Sequence, residues 1–232
     1  MSVQDLNTRV RRAVARMTER MAPRVPDFHG MLESQSAMMA QGLDALVAFL
    51  ASGQVIDADA VRACETEGDR RQAATLDALA RAFAAPFDRG FVILASTAID
   101  DVLNYAKATV REIETLEVPA DDWMHALGAE LREGGHALHA GFGALRDHPT
   151  AAGEAAADVH KRERNAEKIY RAAIAESFDP ATYRALLDDP AVAFDRLLLA
   201  LRQREVYRHL SNTADRLDLA GRTLSSIIVA SD

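Results

Sequence analysis

Between Cys64 and Thr115 the chain carries two helix-length segments joined by one short break, and each segment sets oxygen-bearing side chains one helical turn apart. The break is AAPFDRG, punctuated by Pro86 and Gly90, with Asp88 placed to cap the next helix. Glu65 and Asp69 are four residues apart on the first segment, so both carboxylates share a face. Asp100, Asp101 and Asn104 lie on the second segment, and Asp100 and Asn104 repeat that spacing. If the two helices pack antiparallel, ligands from both converge.

The rest of the chain follows the same period. Apolar residues recur every three or four positions, which predicts helices over about 28–51, 57–84, 88–116, 121–146, 151–177 and 192–229. An irregular piece from Phe178 to Pro190 holds Pro180 and room for a short helical turn. No stretch shows strand-like alternation. Aromatics make up 6% of 232 residues while apolar residues reach 49%, a profile that suits a helical protein with a real core.

Charge narrows the function classes. The net charge of −8 disfavours general nucleic-acid binding. The single cysteine, Cys64, excludes an internal disulfide. No apolar run approaches the ~20 residues of a membrane span, and no signal core opens the chain, so a cytoplasmic location is expected. Residues 1–24 form a basic arm with Arg9, Arg11, Arg12, Arg16, Arg20 and Arg24. Leu6, Val10, Met17 and Met21 would give a helix there an apolar stripe. Such an arm either packs on its own domain or contacts an anionic membrane surface from the inner face.

The acid-bearing helix, the hinge of Phe83, Pro86, Phe87, Asp88 and Arg89, and the Ile99-Asp100-Asp101 helix together resemble the PhoU-like family. The nearest branch is the one that accompanies low-affinity inorganic phosphate (Pit-type) transporters. The resemblance covers about residues 23–230. It implies an all-α fold: two antiparallel three-helix repeats in an elongated bundle, over 25–118 and 119–232, with the arm appended. It also implies a cytoplasmic regulator of phosphate transport that docks on a membrane phosphate transporter. A homodimer is among the assemblies left open.

Family members hold metal ions on paired acidic helices, one set per repeat. Carried over by position, Glu65 and Asp69 match, Asp100 matches, and Asn104 stands in for an acid, with Asp101 beside them. In the second repeat Glu163 and Glu167 keep their charge, while Ser211 replaces an acid before Asp215. His160, one turn before Glu163, could add a nitrogen ligand. Hard carboxylates suit divalent or iron-type metal ions, with the identity left open. The competing reading is a solvated acidic face paired with Arg70, Arg71, Arg162, Arg164 and Lys168, and it is the favoured one for the second repeat.

Enzymatic signatures are sparse. Glu133-x-x-His136 is half of a ferritin-like di-iron motif, and the second half is missing. There is no nucleophile elbow and no phosphate-cradling loop. The residues thus favour an interaction module over an enzyme, and the resemblance implies that it is a regulator, with a ferritin-like metalloenzyme and a soluble helical adaptor as the alternatives.

Overall fold

The computed structural model describes residues 25–85 and 87–231; the expected basic helix over 1–24 and the hinge residue Pro86 lie outside the described residues. The described chain is all-α: α1 (Phe28–Ser52), α2 (Val55–Arg81), α3 (Arg89–Leu116), α4 (Asp122–Ala144), α5 (Pro149–Ser177), the single turn α6 (Pro180–Arg184) and α7 (Pro190–Ser231).

Local chemistry sets the ends. Asp27 caps α1 by accepting from the Gly30 N–H at 3.1 Å. Gly53 closes α1 in the left-handed region at φ 64°, where a glycine carries no Cβ penalty, and its N–H bonds back to the Phe49 carbonyl. Asp88 caps α3 through the Gly90 N–H at 2.6 Å. Helix α2 stops at Arg81, short of the expected Ala84. The physical reason is Arg89, whose guanidinium donates to the carbonyls of Leu79 and Ala82 and so completes the helix C-terminus from across the hinge. Phe83 is left exposed there, while the Phe87 ring meets His29 edge-on at 5.2 Å. Helix α5 begins at Pro149 itself, because proline's missing N–H is harmless in a first turn.

Helices α1, α2 and α3 pack on one another, as do α4, α5 and α7. The two triplets join where α1 meets α4 and where α3 meets α7. One apolar core runs through both, from Leu32, Met39 and Leu43 on α1 through Ile99 and Leu103 on α3 to Leu131, Leu210 and Leu217 on α4 and α7. Leu103 sits where a side chain at Gly42 or Gly68 would overlap it, so those two glycines let α1 and α2 close onto α3. That closeness fixes the acid-bearing faces of α2 and α3 against each other.

A polar clasp anchors α7 at the start of α4. Asp121 caps α4 through the Met124 N–H at 2.9 Å, and its other oxygen accepts from the Tyr207 hydroxyl at 2.6 Å and from Gln203 at 2.8 Å. Tyr207 is fully buried, so its hydroxyl depends on this partner. Asp121→Ala removes the cap and strands that hydroxyl together, with an expected loss of about 2–4 kcal/mol. Tyr207→Phe leaves the cap and Gln203 in place and should cost about 1–2 kcal/mol. Urea unfolding of the two variants checks the order; equal costs would mean that the cap is worth nothing here.

Candidate metal centre

The first acidic cluster lies between α2 and α3. Glu65 is 5% exposed and Asp100 6%. The Lys107 ammonium reaches back along α3 and holds Glu65 Oε1 at 2.6 Å. Asp100 Oδ2 accepts from the Asn104 side-chain amide at 2.9 Å, while Asp100 Oδ1 is buried with no hydrogen-bond partner among the described residues. Burial, followed by the negative charges of Asp69 and Asp101, pushes the Asp100 carboxyl up to about 6, against the pull of Asn104. Asp69 is exposed. Asp101 is half-buried, and the nearest cation to it is Arg216 of α7 at 3.9 Å.

The expected arginine pairing goes elsewhere. Arg70 and Arg71 both bind Glu67, each at 2.7 Å, and hold its carboxyl down to about 2. They leave Glu65 and Asp69 unneutralised. Glu65 finds its cation on the facing helix instead.

The second cluster lies between α5 and α7. Here His160, Glu163 and Asp218 bring one ligand atom each within 4.8 Å of one another, the group of three among the described residues that could hold a metal ion. His160 Nδ1 stands 2.9 Å from Asp218 Oδ1 and 4.0 Å from Glu163 Oε2. Asp218 is 4% exposed, and Arg222 one turn further on grips its other oxygen at 2.5 Å. Burial raises the Glu163 carboxyl above its ordinary range, with Asp218, Asp215 and Glu167 adding repulsion and His160 opposing. Glu163, Asp215, Asp218 and Arg222 line a small cleft of about 250 Å³. Glu167 turns to an ion pair with Arg171 at the cluster's edge. Arg162 goes to Glu130 and Asp158 rather than to Glu163.

Four residues of this arrangement escape the spacing argument: Lys107, Asp218, Arg216 and Arg222. Two were within reach of it. Lys107 is two turns beyond Asp100 on the same face, and Asp218 is two turns beyond Ser211 and one beyond Asp215. Arg216 stands between the clusters: it stacks over the Tyr105 ring at 4.8 Å, donates to the Tyr105 hydroxyl at 3.1 Å and is drawn by both Asp101 and Asp215.

The donor types of both clusters suit a cation, but among the described residues only His160, Glu163 and Asp218 bring three ligand atoms close enough to share one. In the first, the bare Asp100 oxygen faces like charges, and every other donor is a hard oxygen, which suits Mg, Mn or Fe. The second mixes an imidazole with carboxylates, which suits Zn, Fe or Mn. Each also holds one internal cation, Lys107 or Arg222, on one carboxylate. A metal ion therefore competes with a built-in positive charge at each cluster rather than entering a purely anionic site.

No family model matches the chain. A protein of Rhizobium meliloti (strain 1021) named "Putative pit accessory protein" is 25% identical over 218 residues, spanning 90% of this chain and 96% of the relative. A crystal structure of a PhoU-like protein from Shewanella oneidensis MR-1 superposes with a TM-score of 0.64 at 14% identity, covering 88% of this chain and 99% of that one. A second structure from that organism, a "putative PhoU-like phosphate regulatory protein", gives 0.58 at 15% identity over the same shares. The chain has the PhoU-like fold, and along nearly its whole length it is similar in sequence to a pit accessory relative.

Proposed function

We propose that this protein is an accessory regulator of inorganic phosphate transport, acting by contact with a Pit-type membrane transporter and tuned by a metal ion on its acidic helix faces. The similarity to the pit accessory relative supports the transport role. The observation that carries the metal is Asp100: a carboxylate 6% exposed, with one oxygen unpartnered, placed among Asp69, Asp101 and Glu65. Isolated buried charge of that kind is costly unless a cation or a proton meets it. No helix among the described residues is long and apolar enough to cross a membrane, so contact with a transporter would be peripheral.

The mechanism rests on the chain's own residues. His160, Glu163 and Asp218 would hold one ion, with Glu167 and Asp215 at the rim; Glu65, Asp69, Asp100 and Asp101, whose ligand atoms lie further apart, would have to draw together to hold another. An ion held there would supply positive charge that offsets the repulsion among these carboxylates. Lys107 and Arg222 hold Glu65 and Asp218 in place in the ion's absence. The charge shown by the α2–α3 and α5–α7 faces thus changes with metal supply, and a basic transporter loop would sense that change. The role in this reading is regulatory, with the acids serving as ligands.

Calorimetry with Mn, Fe, Zn and Mg on protein freed of metal by chelator tests the ion. Saturation at a hundredfold excess over Kd should add about 3 kcal/mol of stability. Asp100→Asn should remove the first binding event and Asp218→Asn the second. No heat and no stabilisation with any of the four would reduce the acids to a solvated face. Co-purification with the transporter and phosphate uptake in a deletion strain test the partner. A protein absent from the membrane fraction, with uptake unchanged on deletion, would end the transporter reading.

A further inference from the structure

The end of the first triplet remote from the hinge holds a cavity of about 580 Å³, and no residue of either acidic cluster lines it. Helices α1 and α3 both finish against this cavity, and α2 and α4 both begin there. Phe49, Leu50, Ile113 and Val118 are buried and give it an apolar floor. Val55, Glu117 and His125 are exposed lining residues and mark its mouth. The volume falls within the roughly 300–1,000 Å³ typical of small-molecule sites.

The charge around the mouth has one sign. A helix C-terminus carries about half an elementary negative charge, which a Lys or Arg in the last turn offsets. Neither α1 nor α3 has a basic residue in its last turn. Helix α3 ends instead on Glu114 and Glu117, the charge its dipole disfavours. Glu117 caps α3 in the left-handed region at φ 50°, and it is the one non-glycine residue with positive φ among the described residues. Glycine would adopt that backbone at no steric cost, so a glutamate there sets a carboxylate at the cavity against local preference. Arg62 is taken up by Glu114 and Asp59. Glu117 makes no ion pair among the described residues. An apolar floor under uncompensated negative charge suits an occupant with a hydrocarbon body and a positive head. Anions, inorganic phosphate included, are repelled, and a bare metal ion gains nothing from the floor. We propose that this cavity binds a small amphiphilic organic cation: an ammonium or guanidinium head at Glu117 and the helix ends, on a short apolar body lying over Phe49, Leu50, Ile113 and Val118. The site is independent of the metal clusters and of the transport role.

Hexylammonium chloride titrated into the full chain, labelled at its Ile, Leu and Val methyl groups, should shift the NMR signals of Leu50, Ile113 and Val118 saturably. 1-Hexanol should reach the same methyls about tenfold more weakly, and hexanoate should not bind. Glu117→Gln should weaken hexylammonium about fivefold and leave hexanol unchanged. Ala51 is an exposed lining residue, so Ala51→Trp plugs the mouth without entering the core. It should abolish the shifts from both probes with unchanged far-UV circular dichroism. The proposal is overturned by any of four results: no saturable shift at these methyls, hexanol or hexanoate binding as tightly as hexylammonium, wild-type hexylammonium affinity in Glu117→Gln, or undiminished binding in Ala51→Trp.

Discussion

Asp100→Asn stabilises the metal-free protein by about 2–3 kcal/mol at pH 8 and has no such effect at pH 4. The Asp100 carboxyl titrates near 6 in the folded chain because burial and then Asp69 and Asp101 penalise its charge. In the unfolded chain it returns to an ordinary aspartate value near 4. Between those two values the folded state binds the more protons, so stability falls as pH rises through the window and stays lowered above it. The gap between the folded and unfolded values corresponds to about 3 kcal/mol. Asparagine keeps the shape, loses the charge and can still accept from Asn104. Urea melts at pH 4, 6 and 8 in the presence of chelator read the effect directly. With saturating metal the order reverses, because the wild-type carboxylate then gains a partner that the amide binds poorly. A destabilising Asp100→Asn at pH 8 without metal would show that the carboxylate is already satisfied, and the cluster would lose its strongest argument.

The helices and the Glu65–Asp69 and Asp100–Asn104 faces were legible in the sequence because they depend on spacing within one helix. The pairing of Arg70 and Arg71 with Glu67 is of the same kind, since it runs over three and four residues. What spacing could not show is which cation crosses between helices. Lys107 reaches Glu65 over 42 residues of chain, and His160 reaches Asp218 over 58. Those contacts are decided by the register of α2 on α3 and of α5 on α7, which close packing fixes and no local pattern encodes. The early end of α2 has the same origin. Its stop signal is Arg89, ten residues past the Leu79 carbonyl it binds, rather than a local glycine. The start of α7 reads in sequence as ordinary buried stripe, with Leu197, Leu198 and Leu201 in phase. Only the three-dimensional packing shows that this part of the stripe faces outward.

Leu103→Ala costs about 3–5 kcal/mol. Leu103 is fully buried, and its two methyl branches fill the places where Gly42 and Gly68 lack a Cβ. One side chain therefore spans the approach of α1, α2 and α3, and neighbours held by two helix contacts collapse poorly into the void. Gly68→Ala alone should cost about 1–3 kcal/mol by overpacking against the same branch. In the double variant the new methyl enters the space Leu103 vacates, so its loss should fall short of the sum of the single losses by at least about 1 kcal/mol. Thermal or urea melts of the four proteins close the cycle, and strict additivity would mean that the α2–α3 spacing is set elsewhere. Gly68 also carries the site: a Cβ there would stand 4.0 Å from the unpartnered Asp100 Oδ1. Gly68→Ala should then blunt the stabilisation by metal more than its own stability cost accounts for, because it widens α2 from α3 and draws Glu65 away from Asp100. The packing of one leucine against two glycines and the ability of two carboxylates to share a cation are, on this geometry, the same structural variable.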